Sequence, residues 1–361
     1  MSDRVLAATR KGLFPFHRDG PDRWSVGRTA FMGSPVSMAL ADPRDGALYA
    51  ALDLGHFGVK LHRSDDDGAT WTELAAPSYA GVDAEAAEPP SLKLIWALET
   101  GGPDEPGVLW AGTIPGGLFR SADRGESWSL VRGLWDQPMR AQWFGGGADQ
   151  PGIHSISVDP RDSRRVAVAV SCGGVWETTD GGASWRAGGR GLRAAYMPPE
   201  QAENPAVQDP HRMVRCPAAP DRLWIQHHNG VFRATAGVDD WDELHPTTHS
   251  SFGFAVAVHP TKPDTAWFAP AVKDEFRYPA DGRVTVARTI DGGASFETLS
   301  AGLPQEHAYD LVYRHGLDVD GTGERLAMGS TTGGLWFSEN GGDHWTQAPA
   351  RLPPVYAVRF G

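Results

Sequence analysis

Short apolar runs separated by polar, glycine-rich turns fill the chain from end to end. Three runs recur in a fixed order. In the middle of the chain they are Ile153-His-Ser-Ile-Ser-Val-Asp-Pro, Val166-Ala-Val-Ala-Val and Gly174-Val-Trp-Glu. Runs this short, rich in β-branched and aromatic residues and bounded by turn formers, predict strands. The second run returns as Leu48-Tyr-Ala-Ala-Leu, Val108-Leu-Trp-Ala-Gly, Leu223-Trp-Ile-Gln, Ala266-Trp-Phe-Ala and Leu326-Ala-Met-Gly.

Each third run leads into Ser/Thr-x-Asp-x-Gly-x-x-Trp/Phe. Well-kept copies are Ser64 to Trp71, Ser121 to Trp128, Thr178 to Trp185 and Thr289 to Phe296. Ser338 to Trp345 carries Asn340 in place of Asp, and degenerate copies end at Trp24 and Trp241. The aromatic positions are therefore 24, 71, 128, 185, 241, 296 and 345, at intervals of 47 to 57 residues. The motif predicts a hairpin turn. Its Asp accepts backbone N–H groups, its Gly supplies an unusual φ, and its Trp packs back between sheets. Asp66, Asp123, Asp180 and Asp291 are assigned this structural role.

With the strand after the turn, each unit has four strands, A to D. Seven such units predict an all-β, seven-bladed β-propeller over residues 1–361. The first unit opens on Arg4-Val-Leu-Ala-Ala-Thr, which matches strand B. Val355-Tyr-Ala-Val-Arg-Phe360 matches strand A and is expected to complete the first blade, removing an open edge.

Composition agrees. Gly (44) and Pro (28) are abundant, as many tight turns require. A formal charge of −12 argues against a nucleic-acid or anionic-membrane footprint. Two cysteines, Cys172 and Cys216, provide no disulfide framework. No apolar stretch has the length of a membrane span, and the first residues lack a signal-peptide pattern, so a cytoplasmic location is expected. Arg outnumbers Lys 28 to 5, which fits a GC-rich bacterial gene. Nothing in the sequence sets the oligomeric state.

The motif resembles the Asp-box, or BNR repeat, of the sialidase-like propellers, within the wider group of WD40/YVTN/BNR-like repeat proteins. Those propellers include bacterial sialidases, xyloglucan-cleaving glycosyl hydrolases, sortilin-type receptors and photosystem assembly factors. The resemblance implies that the C–D turns lie opposite the functional face, where B–C and D–A loops converge. It does not choose between hydrolase and binder. A sialidase would carry Phe/Tyr-Arg-Ile-Pro before the first box, an Arg triad, a Tyr/Glu pair and an Asp acid. Thr9-Arg-Lys-Gly-Leu-Phe-Pro-Phe is not that element. Arg10 can supply only one carboxylate clamp, which argues against a true sialidase.

Strand A is aligned on Asp42-Pro43, Asp159-Pro160, Cys216-Pro217 and His259-Pro260. That sets Ser37, His154, His211 and Phe254 at one level of the channel, and Lys93, Asp310 and Tyr356 are placed with them. The B–C loops add Arg10, Lys11, His56, Cys172, His227, His228, Lys273 and Glu275; the D–A loops add Trp143, Tyr196 and His307. Imidazoles from His154, His211 and His227 or His228 are expected to hold one divalent transition metal, zinc or similar, or else to fill a polar channel. Glu275, Asp310 or His307 would complete the shell or act as base. Without metal, Lys93 and Lys273 would clamp an anion and a histidine or Tyr356 would move the proton. Cys172 is read as a small residue before Gly173-Gly174. Trp143 and Tyr196 are stacking platforms or loop packing.

The catalytic candidates are thus His154, His211, Asp310, Glu275 and Tyr356. The substrate-binding candidates are Arg10, Lys11, Lys93, Trp143, Tyr196, Lys273, His56 and His307. The expected function is a hydrolase or lyase at the channel mouth, acting on a glycan-like or small anionic ligand. The alternative is a non-catalytic scaffold that binds protein or peptide.

Overall fold

The computed structural model describes residues 3–246 and 250–361. Seven antiparallel four-stranded sheets form a closed ring, with almost no helix. The inner strand of every blade touches the inner strands of both neighbours. Val355–Phe360 pairs with Arg4–Thr9, so the last strand completes blade 1 as expected.

The C–D turns explain why the motif repeats. In the first well-kept copy the Ser64 hydroxyl donates to Asp66 Oδ1 (2.8 Å) and accepts the Gly68 N–H (2.8 Å). Asp66 in turn accepts the N–H (2.8 Å) and hydroxyl (2.6 Å) of Thr70. The same bonds recur around Asp123, Asp180 and Asp291. Asn340 keeps the N–H bond from His344. Every one of these bonds joins residues two or four apart, so the turn is self-contained. The motif aromatics seal the joints between blades: Trp24 stacks on Phe337 of blade 7 at 4.2 Å. Indole donors add cross-blade bonds, from Trp224 Nε1 to the Pro263 carbonyl (3.0 Å) and from Trp267 Nε1 to the Gly341 carbonyl (2.8 Å).

The inner strands of blades 1 to 6 each carry an irregularity at the channel mouth. Register shifts fall at Tyr356, Ser37, Trp96, His154 and His211, and at Phe254–Ala255, in blades 1 to 6. A bulge adds an unpaired residue and re-aims its side chain. In blade 7 the equivalent residue is His315, five before Asp320, whose N–H bonds the Arg325 carbonyl to close the A–B turn. The same count of five runs from Gly101 to Trp96 and from Gly361 to Tyr356.

This ring corrects two placements. Trp96, not Lys93, is the blade 3 member; Lys93 precedes the strand, with its N–H on the Ile114 carbonyl. His315, not Asp310, is the blade 7 member. Blades 3 and 7 lack the X-Pro pair that follows the inner strands of blades 2, 4, 5 and 6.

Candidate functional site

The bulge ring opens into a cavity of about 1490 Å³. Ser37, Trp96, His211, Phe254, His315 and Tyr356 are on its wall. B–C loops of several blades form its rim, on the face away from the Asp-box turns.

Three side chains from blade 5 meet at the wall. Asp209 stands just before the inner strand Pro210–Arg215, where Pro210 fixes the backbone. His211 follows on the bulge. His228 occupies the tight B–C turn between His227 and Gly230, held by its N–H on the Asp209 carbonyl (2.9 Å). Asp209 Oδ2 lies 3.3 Å from His211 Nε2 and 3.5 Å from His228 Nδ1. One ligand-type atom from each of the three residues falls within 4.8 Å of the others.

Both outer ends of this group are held. Asp209 Oδ1 accepts the Ser171 hydroxyl (3.1 Å) and the Cys172 N–H (3.1 Å). His211 Nδ1 lies 2.6 Å from the Gly253 carbonyl, and the ring stacks on Phe254 at 4.4 Å. Tyr196 packs edge-on to His228 at 5.0 Å, with its hydroxyl donating to the Val207 carbonyl (2.6 Å). Burial pushes the Asp209 carboxyl up, but His211, His228 and Arg314 outweigh it and hold it well below the carboxylate range. Burial lowers His211, against the pull of Asp209.

Arg314 is the second feature. Its side chain is buried, with 8% of the residue exposed, and it lies between the rings of Trp96 (4.7 Å) and Phe254 (5.2 Å). Among the described residues its guanidinium makes no hydrogen bond or ion pair, and Nε is buried without a partner. Burial lowers its pKa to about 10, so it stays charged at neutral pH. Asp209 acts on it through space without a hydrogen bond, so its N–H donors are uncommitted.

The other sequence candidates are distributed as follows. Arg10, Lys273, Glu275, Tyr196 and Tyr356 line the cavity. Lys273 and Glu275 pair with each other at 3.4 Å on the rim. Lys11, His56, Lys93 and His307 are exposed and are not wall residues. Trp143 is a core side chain, edge-on to Trp176 at 5.6 Å, because its loop folds inward over blade 4. Asp310 accepts the hydroxyls of Ser330 (2.6 Å) and Thr332, stapling two loop segments together.

His154 and His227 stand outside the group that His211 and His228 form. His154 bonds Ser155 through Nδ1 (2.9 Å) and packs edge-on to Trp96 at 5.4 Å. Burial holds it well below the ordinary histidine value. His227 is fully buried against Phe232, and burial pushes its pKa down to about 3. Cys172 lines the cavity, but burial pushes its thiol up, which disfavours the thiolate a nucleophile needs. Sequence reasoning missed Asp209, Arg314, Trp96 and His315. The available signal for Asp209 was its place two residues before His211, at the entry to the inner strand.

No protein-family profile matches the chain. It is 23% identical over 356 residues to a probable oligoxyloglucan-reducing end-specific xyloglucanase of Neosartorya fischeri. That alignment covers 90% of this chain and 40% of the fungal protein, so the chain spans less than half of that relative's length. In three dimensions the chain resembles the xyloglucanase of glycoside hydrolase family 74 from Xanthomonas campestris. The TM-score is 0.65 at 20% identity, over 98% of this chain and 52% of that one. It also resembles YCF48 bound to D1 peptide, with a TM-score of 0.53 at 14% identity, over 87% and 82% of the two chains. These likenesses agree on the propeller fold.

Proposed function

We propose that this protein is a glycosidase-like hydrolase of the Asp-box propeller type, acting at the channel mouth on a glycan that carries an anionic group. The observation that carries the reading is the meeting of Asp209, His211 and His228 on the wall of a large cavity that also holds the unpaired Arg314. The xyloglucanase relatives support the glycan class, and the self-contained turns around Asp66, Asp123, Asp180 and Asp291 support the Asp-box assignment. In this reading the Asp209 group activates a water for attack on the bond held in the cavity, as a positioned general base does. Arg314 receives a carboxylate or similar oxyanion of the substrate, and Trp96 and Phe254 fix its plane. Tyr196, Tyr356 and Arg10 shape the surrounding wall.

The test is a screen of neutral and uronate-containing oligosaccharides for release of reducing ends. Acidic substrates are expected to be cleaved, and Asp209→Asn to abolish cleavage. An Asp209→Asn variant as active as the wild type would overturn the reading, as would failure to cleave any member of the screen.

A second reading is a peptide-binding propeller. It is favoured by the apolar side chains left exposed on the rim loops, Phe57 (78%) and Phe276 (49%), and by the likeness to the peptide-bound YCF48 structure. It predicts peptide binding that survives Asp209→Asn but is lost in Phe57→Ser with Phe276→Ser.

A further inference from the structure

We infer that Asp209, His211 and His228 form a binding site for one divalent transition metal of the zinc class, with an open position toward the cavity. The argument begins at His211. A carbonyl only accepts, so the 2.6 Å contact with Gly253 commits the Nδ1 proton. A neutral ring presents a lone pair at Nε2, 3.3 Å from Asp209 Oδ2, which also has only lone pairs to offer, whereas a protonated ring would donate there. His228 brings Nδ1 to 3.5 Å from the same oxygen. Acceptors this close need a cation among them, a proton on one ring or a metal ion held by all three.

The spacing suits a metal. Metal–ligand bonds of about 2.0–2.2 Å put tetrahedral ligand atoms about 3.3–3.6 Å apart. The two measured edges are 3.3 and 3.5 Å, and all three ligand atoms lie within 4.8 Å. The outer atoms are braced as metal ligands usually are, His211 by a backbone carbonyl and Asp209 by the Ser171 hydroxyl and the Cys172 N–H. Two imidazoles and one carboxylate form a borderline donor set, and three protein ligands leave a position for water or substrate. All three residues line the cavity, so that position is reachable. A metal there would polarise a bound oxygen or lower the pKa of a bound water.

The inference deepens the hydrolase reading by naming its cation, but metal binding is measured without turnover. Untagged, chelator-stripped protein would be titrated with Zn2+ by calorimetry and with Co2+ by visible absorption. One equivalent of each is expected to bind, with the absorption of Co2+ in a low-symmetry site. His228→Gln and Asp209→Asn are expected to weaken Zn2+ binding about 100-fold or more, at least the upper end of what losing an outer-sphere contact costs. His344→Gln, on the Asp-box face, is expected to bind as the wild type does. Should Asp209→Asn fail to fold, His228→Gln decides, since that side chain is partly exposed. Folded wild-type protein that takes up neither ion overturns the inference, as does uptake undiminished by both substitutions. Cleavage that survives chelation removes the metal and keeps the hydrolase; uptake without cleavage does the reverse.

Discussion

Two clusters of charge lie at opposite faces of the propeller, one between blades 4 and 5 at the A–B turns and one at the mouth, and they are built on opposite principles. At the A–B turn end, Asp159 meets Arg161 (2.7 Å), Arg165 (3.2 Å) and Arg215 (3.4 Å). Glu177 meets Arg165 (2.9 Å) and Arg186 (2.6 Å), and Asp221 meets Arg161 (2.9 Å) and Arg165 (2.6 Å). Every charge there has opposite charges beside it. At the mouth, Asp209 faces two imidazole nitrogens, and Arg314 lies between aromatic rings, within the field of Asp209 but without a hydrogen bond to it. The paired cluster holds two blades together. The unpaired one has capacity left over for something that is not protein.

The sharpest way to break this contrast is to remove one member from each end. Arg215→Ala removes one of the three arginines on Asp159 and the donor to the Pro220 carbonyl, while Arg161 and Arg165 stay in place, and a loss of roughly 1–3 kcal/mol in denaturant unfolding is expected. Asp209→Asn is expected to cost far less stability but to lower kcat/KM on a cleaved glycan by about 100-fold or more. Equal stability losses at the two ends would erase the distinction. Arg314→Met is a finer probe. It leaves no buried partner unpaired, so stability should move by only about 1 kcal/mol. Binding of an acidic ligand should fall while binding of a neutral analogue holds, read by calorimetry with the two ligands side by side.

Acid distinguishes the two ends in another way. The hydroxyls of Thr70, Ser184 and Ser295, then their N–H groups, hold Asp66, Asp180 and Asp291 at about 2. A carboxyl depressed in the folded state adds stability above its unfolded value of about 3.9 and loses it as the pH falls toward 2. Urea unfolding between those values should therefore show stability falling with pH, and falling less steeply in Asp66→Asn. An unchanged slope in that variant would mean the turn carboxylates do not contribute. The smallest effect is expected at the rim, where Lys273→Ala breaks an exposed pair and should shift stability by less than about 0.5 kcal/mol.

The blade count, the turns and the closing strand were legible because each rests on local chemistry repeated at a near-constant interval. The channel ring was legible only where an X-Pro pair marks the end of strand A. Counting back from Asp42, Asp159, Cys216 and His259 finds Ser37, His154, His211 and Phe254. In blades 3 and 7 the markers are Gly101 and Asp320, whose roles rest on a backbone hydrogen bond that composition does not announce. Lys93 and Asp310 were therefore placed where Trp96 and His315 stand. Asp209 was obscured because its segment, Pro198 to Pro210, reads as a polar loop. Arg314 was obscured because its meaning is the absence of a partner, a property of the packed molecule.

The bulges of the inner strands have one more consequence. A regular strand ties each residue to the face its neighbours dictate, so changing one position disturbs the alternation around it. At the mouth of blades 1 to 6, the bulge releases a position from that alternation while the strand beyond it stays paired. With His315 of blade 7, these positions spell Tyr, Ser, Trp, His, His, Phe, His around the mouth, and neighbours such as His211 and Phe254 are set together. A descendant could respell the word without rewriting the blades.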